Sequence, residues 1–319
     1  MNMAKDLTGF KLFTAGLLAL VAMMGLSGCG DAGETSGMFD EDERPKVLAL
    51  TTMIADAATV IAGDDAQVVG LMRAGEDPHT YEINPRDAVA VAEADLVLGN
   101  GHHLESTLKN IVANQAADTH VYLAESSSIT PLSDEGAEGA PDPHCWMDAK
   151  LFKVYVKGIR DALVELDPDN AEGYKERAEA YLKELDELDV WVREQFESVP
   201  EEQRVIITGH DAFNYYGAAY GVEMHALIGL STEEQPTAAD VTKLENMIRE
   251  KGIKAIFYET SVSQTLNDLV KQMADETGIT IGGELYSDSL GEKGTDAGTY
   301  IGMMRHNTTT MVDALKSGG

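Results

Sequence analysis

Short apolar runs rich in β-branched residues alternate with helical segments along two halves of this chain, and this alternation constrains the fold more than any other feature. Strands that alternate with helices form parallel sheets whose faces the helices cover. We therefore predict an α/β fold with two lobes, each of them a parallel-sheet βα-repeat. The strand-like runs lie at 46–52, 66–72, 94–100 and 119–125 in the first half, and at 204–210, 222–228, 254–260 and 279–286 in the second.

A long segment without proline, 169–198, separates the two halves. Its apolar residues recur at steps of three and four, which is typical of an amphipathic helix. A helix of about thirty residues is roughly 45 Å long, enough to run the length of two lobes. We predict that one long rigid helix within 167–199 joins an N-terminal lobe at 46–166 to a C-terminal lobe at 200–319. The alternative is an ordinary surface helix that belongs to one lobe.

The N-terminus has the features of an export signal. Lys5 and Lys11 provide basic residues, and the apolar stretch that follows is too short to span a bilayer comfortably. That stretch ends in a Leu-Ser-Gly-Cys sequence at Cys29, the pattern of bacterial lipoproteins. We predict a signal peptide at 1–28, lipid on Cys29 and a flexible acidic tether at 29–45. A plain signal peptide or anchor helix that happens to end in cysteine is the alternative.

These N-terminal features predict an exported protein, anchored by its lipid to a bacterial membrane and facing the periplasm or the cell exterior. The chain has 319 residues and a formal net charge of −31, from 24 basic and 55 acidic residues. This charge argues against nucleic acid and anionic lipid as partners. Solubility or a saline habitat explains the bulk charge better than a function in cation binding.

The two cysteines of the chain cannot form an intrachain disulfide if Cys29 is lipidated, because Cys145 is then alone. A lone thiol in an exported protein is usually a small buried side chain. Cys145 adjoins His144, which raises the question of thiolate ligation to a metal. Neighbours on an extended segment point to opposite sides, so this role is disfavoured.

Three histidines and one aspartate stand in short distinctive phrases. They are His79 in GEDPHTYE, His144 in PDPHCWMD, His210 in TGHDAFNYYG and Asp288 in LYSDSLG. Three imidazoles and a carboxylate are enough to fill the coordination shell of one transition-metal ion. For any one of these residues alone, a buried structural side chain is the more common role.

The positions of the four residues along the chain favour a shared site. His79, His210 and Asp288 each follow a strand-like run, and ligands of parallel α/β sheets bind beyond the carboxyl ends of strands. His144 comes from the loop that closes the first half. An Asp-Pro pair precedes both His79 and His144, and proline restricts the backbone there. Two candidates from each half predict a metal site in the cleft between the lobes.

Three further residues lie on the predicted cleft side. His102 and His103 follow the third strand-like run, and a supporting role or solvent exposure fits them better than direct ligation. Glu259 lies near the end of the run 254–260, where its carboxylate could orient a ligand histidine. An exposed loop carboxylate is the equal alternative. His103 and Glu259 are therefore candidates for residues that support the metal ligands from behind.

Six phrases of the chain, in this order, resemble the cluster A-I solute-binding proteins, the zinc- and manganese-binding lipoproteins of bacterial ABC importers. They are DPHTYEINPRD, NGHHLE, DPHCWMD, HDAFNYYGAAYG, GLSTEEQPTAAD and LYSDSLG, and the resemblance covers nearly the whole chain after the tether. It implies two α/β lobes joined by one rigid long helix, with a metal site between them. The ligand positions of the family fall on His79, His144, His210 and Asp288.

The resemblance also implies a function. It is the capture of a divalent transition metal outside the cytoplasmic membrane and its delivery to an ABC permease with its ATPase, and we expect a monomer. A rigid helix limits rotation of the lobes. We therefore expect metal release through local movement of a ligand-bearing loop, around Asp288 or His144.

The choice of metal is less constrained than the site. Many zinc importers of this family carry a His-rich loop between the first two ligands, whereas residues 121–143 contain no histidine. Manganese binders of the family often have Glu at the third ligand position, where this chain has His210. Affinity alone cannot select manganese, because zinc binds such sites more tightly. These features favour Mn²⁺ by a narrow margin, then Zn²⁺, then Fe²⁺.

Two other classes of function are open from the sequence. An exported zinc hydrolase uses histidine ligands and a metal-bound water, but no HExxH motif occurs, and four protein ligands leave no obvious position for the water. A surface adhesin would use the same fold for contacts with other molecules. We predict a binding protein and not an enzyme.

Overall fold

Two four-stranded parallel sheets organise the protein, and the computed structural model describes residues 37–115, 119–133 and 139–317. The strands are β1 (Lys46–Ala49), β2 (Gln67–Gly70), β3 (Leu96–Gly99), β4 (His120–Tyr122), β5 (Val205–Thr208), β6 (Glu223–Ala226), β7 (Ala255–Glu259) and β8 (Thr280–Leu285). The first sheet has the order β2-β1-β3-β4, and the second repeats it as β6-β5-β7-β8. The predicted pair of parallel-sheet lobes is confirmed, and each predicted run contains one strand.

Helices connect the strands within each half and also join the halves. They are α1 (Thr52–Ala62), α2 (Pro85–Glu93), α3 (Lys109–Gln115), α4 (Ala149–Leu166), α5 (Ala171–Glu197), α6 (Asn214–Tyr220), α7 (Ala238–Lys251), α8 (Gln264–Thr277) and α9 (Tyr300–Ser317). The sequence analysis did not predict α3 or α4.

Local sequence signals explain where several helices begin and end. Asn84 accepts hydrogen bonds from the first turn of α2, and the Asp87 side chain reaches back to the Asn84 N–H. Thr237 and Asp240 form the same reciprocal arrangement at the start of α7. These pairs satisfy backbone donors that a helix N-terminus leaves without partners. Gly252 ends α7 in the left-handed conformation that glycine adopts without strain.

Helix α5 corresponds to the predicted linking helix. Its 27 residues make it about 40 Å long. It packs against α1 and α4 of the first half and against α6 and α9 of the second. Arg177 of α5 donates hydrogen bonds to the carbonyls of Ile61 and Ala62, which satisfies acceptors at the end of α1. The exact lobe boundaries on either side of 167–199 stay a prediction.

Residues 37–45 pack against the first lobe, so the predicted tether at 29–45 is too long. Phe39 is buried in an apolar cluster with residues of the first sheet. The Asp40 N–H donates to Gln67 Oε1, and Gln67 Nε2 donates back to the Asp40 carbonyl. One aromatic side chain within an acidic run gives this part of the chain a buried contact that composition does not indicate.

Buried contacts join the two halves directly. Tyr300, at the start of α9, stacks on Phe152 of α4 with ring centroids 3.6 Å apart, and its hydroxyl donates to the Trp146 carbonyl. Asp56 of α1 accepts hydrogen bonds from the Tyr300 N–H and the Tyr181 hydroxyl. One apolar cluster also extends from the first half through α5 into the second. These contacts leave little freedom for a large hinge motion.

Across the described ranges, no helix has both the length and the apolar character needed to cross a membrane. The signal peptide predicted at 1–28 and the lipidation predicted at Cys29 lie outside the described residues. Both therefore stay predictions from the sequence.

Candidate metal-binding site

The four candidate ligands come together at the carboxyl ends of the two sheets. His210 follows β5, Asp288 follows β8, and His79 lies in the segment after β2. His144 precedes the 3-10 turn Cys145–Met147, which leads into α4. One ligand atom from each of the four side chains lies within 4.8 Å of the other three. The fold thus brings two candidates from each half to one point.

The spacing of the four side chains suits a single ion. His79 Nε2 lies 3.4 Å from His144 Nε2. The Asp288 oxygens lie 3.4 Å from His144 Nε2 and 3.0 Å from His210 Nε2. A tetrahedral ion that holds its ligands at the bond lengths usual for zinc separates the ligand atoms by about 3.3 Å. Small adjustments would therefore give bonding distances to all four.

The site is almost closed to solvent. The exposed fraction is 5% for His79, 2% for Asp288 and 0% for both His144 and His210. Within the described part of the chain, His210 Nε2 and both Asp288 oxygens lack a well-directed hydrogen bond, although two of these atoms are close together. Buried polar atoms without partners cost free energy. A cation bound between them would satisfy all of them.

Two buried carboxylates lie behind two of the histidine rings. Asp142 Oδ1 lies 2.8 Å from His144 Nδ1, and Glu259 Oε2 lies 2.6 Å from His210 Nδ1. Glu259 Oε1 also accepts the N–H groups of Gly209 and His210. Such contacts hold an imidazole by Nδ1 and leave Nε2 for a metal. The sequence suggested this place for Glu259, whereas it did not suggest it for Asp142.

The two Asp-Pro-His phrases have the same local structure. Asp77 Oδ1 accepts the His79 N–H at 2.9 Å, and Asp142 Oδ1 accepts the His144 N–H at the same distance. The aspartate two residues before each histidine therefore fixes the backbone that presents the ring. The repeated phrase was the signal that could have identified Asp142.

The charges of the site favour a cation as its ligand. Burial lowers the pKa of His79 to about 3. Burial acts in the same direction on His210, but the carboxylates of Glu259 and Asp288 outweigh it and hold the pKa of His210 well above its usual value. Burial would raise the pKa of Asp288, yet the three imidazoles, His210 first, hold it below its usual range. The Asp288 carboxylate therefore stays ionised inside the protein.

The structure gives no support for a role of His103 behind a ligand. Its side chain is exposed, and no described residue accepts or donates a hydrogen bond to it. His102 and His103 both have left-handed backbone conformations, with φ of 49° and 66°. Asn100, just before them, instead donates from Nδ2 to the Pro143 carbonyl at 2.9 Å, next to His144. Its position after β3 was the only sequence signal for this contact.

Cys145 lies beside the site without joining it. Its side chain is fully buried, and burial raises the pKa of its thiol to about 11. Its sulfur faces the Asp142 carbonyl at 3.9 Å. The group of ligand atoms found among the described residues does not include it. Its placement agrees with the expected small buried thiol.

Comparison with known proteins places the chain in a family. The family model described as "ZnuA: Zinc-uptake complex component A periplasmic" matches residues 47–314. The chain belongs to this family. The manganese-binding lipoprotein MntA of Bacillus subtilis (strain 168) is 39% identical over 308 residues, which cover 94% of this chain and 99% of that protein. The zinc-binding protein TroA of Treponema pallidum is 38% identical over 278 residues, covering 86% and 90%.

Solved structures of this family share the fold. The periplasmic zinc-binding protein TroA from Treponema pallidum matches with a TM-score of 0.81 at 38% identity, covering 86% of this chain and 99% of that chain. A Mn-bound periplasmic metal-binding protein from Candidatus Liberibacter asiaticus matches with a TM-score of 0.76 at 31% identity, covering 85% and 100%. The predicted family and the two-lobed α/β architecture are therefore confirmed.

Proposed function

We propose that this protein captures a divalent transition-metal ion, Mn²⁺ or Zn²⁺, outside the cytoplasmic membrane and delivers it to an ABC permease with its ATPase. His79, His144, His210 and Asp288 would bind the ion. The observation that carries this proposal is the convergence of four buried ligand atoms within 4.8 Å of one another. Imidazole nitrogen and carboxylate oxygen are ligands that suit both metals.

The relatives support transport over catalysis. Their names describe metal-binding lipoproteins and substrate-binding lipoproteins of manganese ABC transporters. In this chain, the carboxylate nearest to the site that is not a candidate ligand, Glu259, already binds the His210 ring and two backbone N–H groups. It is therefore engaged in holding a ligand and is poorly placed to activate a water.

Manganese is the first candidate for the cargo, zinc the second and iron the third. Relatives named as manganese-binding and as zinc-binding have nearly the same identity to this chain, at 39% and 38%. Zinc binds nitrogen and oxygen sites more tightly than manganese, so a simple affinity measurement cannot decide the cargo. Metal supply and the geometry of the site would select it.

We further propose that lipid on Cys29 anchors the protein to the membrane from outside, and that the protein acts as a monomer. The names of the relatives include several lipoproteins of importers, which supports the anchor. The lipobox pattern at Cys29 supports it independently. An anchored carrier would keep its cargo near the permease.

The test is metal analysis of the protein purified with a competing chelator, followed by titration with Mn²⁺ and Zn²⁺. The wild type should bind one ion. His79→Ala and Asp288→Ala should each lose more affinity than the roughly 10–100-fold typical of residues that only support a ligand. His103→Ala, an exposed histidine outside the site, is the matched control and should bind like the wild type. Near-normal binding by both ligand variants would refute the site.

A further inference from the structure

The three histidines of the site are not held equally. His144 and His210 each have a carboxylate of their own half against Nδ1 and are 0% exposed. His79 has no such carboxylate among the described residues; its ring contacts the other two imidazoles and it is 5% exposed. Its position therefore depends on the backbone segment that carries it. His79 also lies on the side of the site that is nearest to solvent.

Asp77 fixes that segment, and it does so through both of its oxygens. Its Oδ1 accepts the His79 N–H at 2.9 Å. Its Oδ2 accepts the hydroxyl of Thr80, in the same turn, at 3.0 Å. The same Oδ2 accepts the hydroxyl of Thr232 at 2.5 Å, and Thr232 belongs to the second half of the chain. A hydroxyl from one lobe thus holds the carboxylate that presents a ligand from the other.

The Thr232 segment is itself fixed to the site. The Gly229 carbonyl accepts the N–H of Asp211, the residue after His210. Glu234 closes the segment by accepting the Gly229 N–H and donating its own N–H to the Ser231 carbonyl. Thr232 therefore stands on a turn that is anchored beside one ligand and reaches toward another.

We propose that Thr232 is a positioning residue for His79, and that its hydrogen bond to Asp77 keeps the His79 segment closed over the bound metal and slows metal release. This inference rests on the proposed function. It moves the expected site of opening from the loops of Asp288 and His144, both deeply buried, to the segment of His79. A second cross-lobe bond, from the Gly75 N–H to Ser289 Oγ, holds the other end of this segment.

Thr232 is the better of the two cross-lobe contacts for a test, because Ser289 adjoins a candidate ligand and Thr232 does not. Thr232→Val keeps the shape of the side chain and removes the hydroxyl. Thr232→Ser keeps the hydroxyl and should rescue the wild-type behaviour. Thr80→Val is the matched control, since it removes a hydroxyl from the same Asp77 oxygen without separating the lobes.

The measurement is the rate of metal release from purified protein loaded with Mn²⁺ or Zn²⁺ and mixed with an excess of a chelator. Trp146 provides the optical signal, because its ring centroid lies 5.2 Å from that of His144. A Trp191→Phe background leaves Trp146 as the only tryptophan of the chain. Circular dichroism of each variant checks that the fold is intact.

We expect Thr232→Val to release metal roughly tenfold faster, from the loss of one charge-assisted hydrogen bond at a half-buried position. Thr232→Ser should stay near the wild-type rate, and Thr80→Val should change the rate less than Thr232→Val. A wild-type release rate in Thr232→Val, or an equal acceleration in Thr80→Val, would overturn the inference. A wild-type protein that binds neither metal would instead overturn the proposed function, and the two failures are distinguishable.

Discussion

Glu105 gives the protein a stability that depends on pH, and the structure sets both the direction and the size of the effect. Its side chain is only 5% exposed, and its two oxygens accept the N–H groups of Asn100 and Gly101 at 2.7 and 3.1 Å. These bonds favour the ionised form, but burial outweighs them and raises the pKa of Glu105 from 4.5 to about 7. The folded protein therefore holds a proton that the unfolded chain releases.

The sign follows from which state binds the proton. Between pH 4.5 and about 7, the folded state binds more protons at Glu105 than the unfolded state does. The contribution of this group to stability is fully present below pH 4.5 and is lost as pH rises to about 7. A shift of this size corresponds to a free energy of unfolding of about 3 kcal/mol.

The perturbation is Glu105→Gln, measured by urea unfolding of the metal-free protein at pH 5 and pH 8. The variant cannot titrate, and it also loses one acceptor, which lowers its stability by a similar amount at both pH values. We therefore expect the difference in unfolding free energy between variant and wild type to shift by about 3 kcal/mol in favour of the variant from pH 5 to pH 8. Glu165→Gln, at an exposed position of α4, is the control and should show no such shift. A difference that stays constant with pH would refute the reasoning.

Two further predictions concern the support of a ligand and the support of a helix. Asp142→Asn should weaken metal binding about 10–100-fold, because the carboxylate holds both the ring and the backbone of His144; a competition titration measures this, with surface Asp161→Asn as the control, and equal affinities would contradict it. Arg177→Met should lower the free energy of unfolding by about 1–2 kcal/mol, because the guanidinium satisfies carbonyls at the end of α1. Lys175→Met, on the exposed side of the same helix, should change it by less than about 0.5 kcal/mol in the same urea experiment, and a loss as large as that of Arg177→Met would contradict the assignment.

The strands could be predicted from the sequence because parallel strands are buried on both faces. Such strands are continuous apolar runs, as in the buried sequence VIIT of β5. Helix α4 was not predicted, although its buried residues follow helical spacing. It contains Gly158 and several β-branched and aromatic residues, which have modest helix propensity. Its stability comes largely from packing against α5, which is a tertiary effect.

The four candidate ligands could be found because topology places residues that follow parallel strands at one edge of a sheet. Glu259 could be suggested for the same reason, since β7 pairs with β5. The contact of Asp142 with the His144 ring depends on a loop conformation that no periodic pattern encodes. The bond from Thr232 to Asp77 joins residues 155 positions apart in two lobes, so it depends on how closely the lobes approach. Contacts of this kind lie beyond what spacing along a sequence predicts.

The stacking of Tyr300 on Phe152 and the length of α5 have a consequence for recognition by the proposed permease. Because these contacts hold the lobes together, loaded and empty protein should have nearly the same outline. A transporter that must ignore the empty carrier cannot then rely on its overall shape. The information that cargo is present would have to be carried by a few side chains at the rim of the cleft, where Asp77 and Thr232 meet.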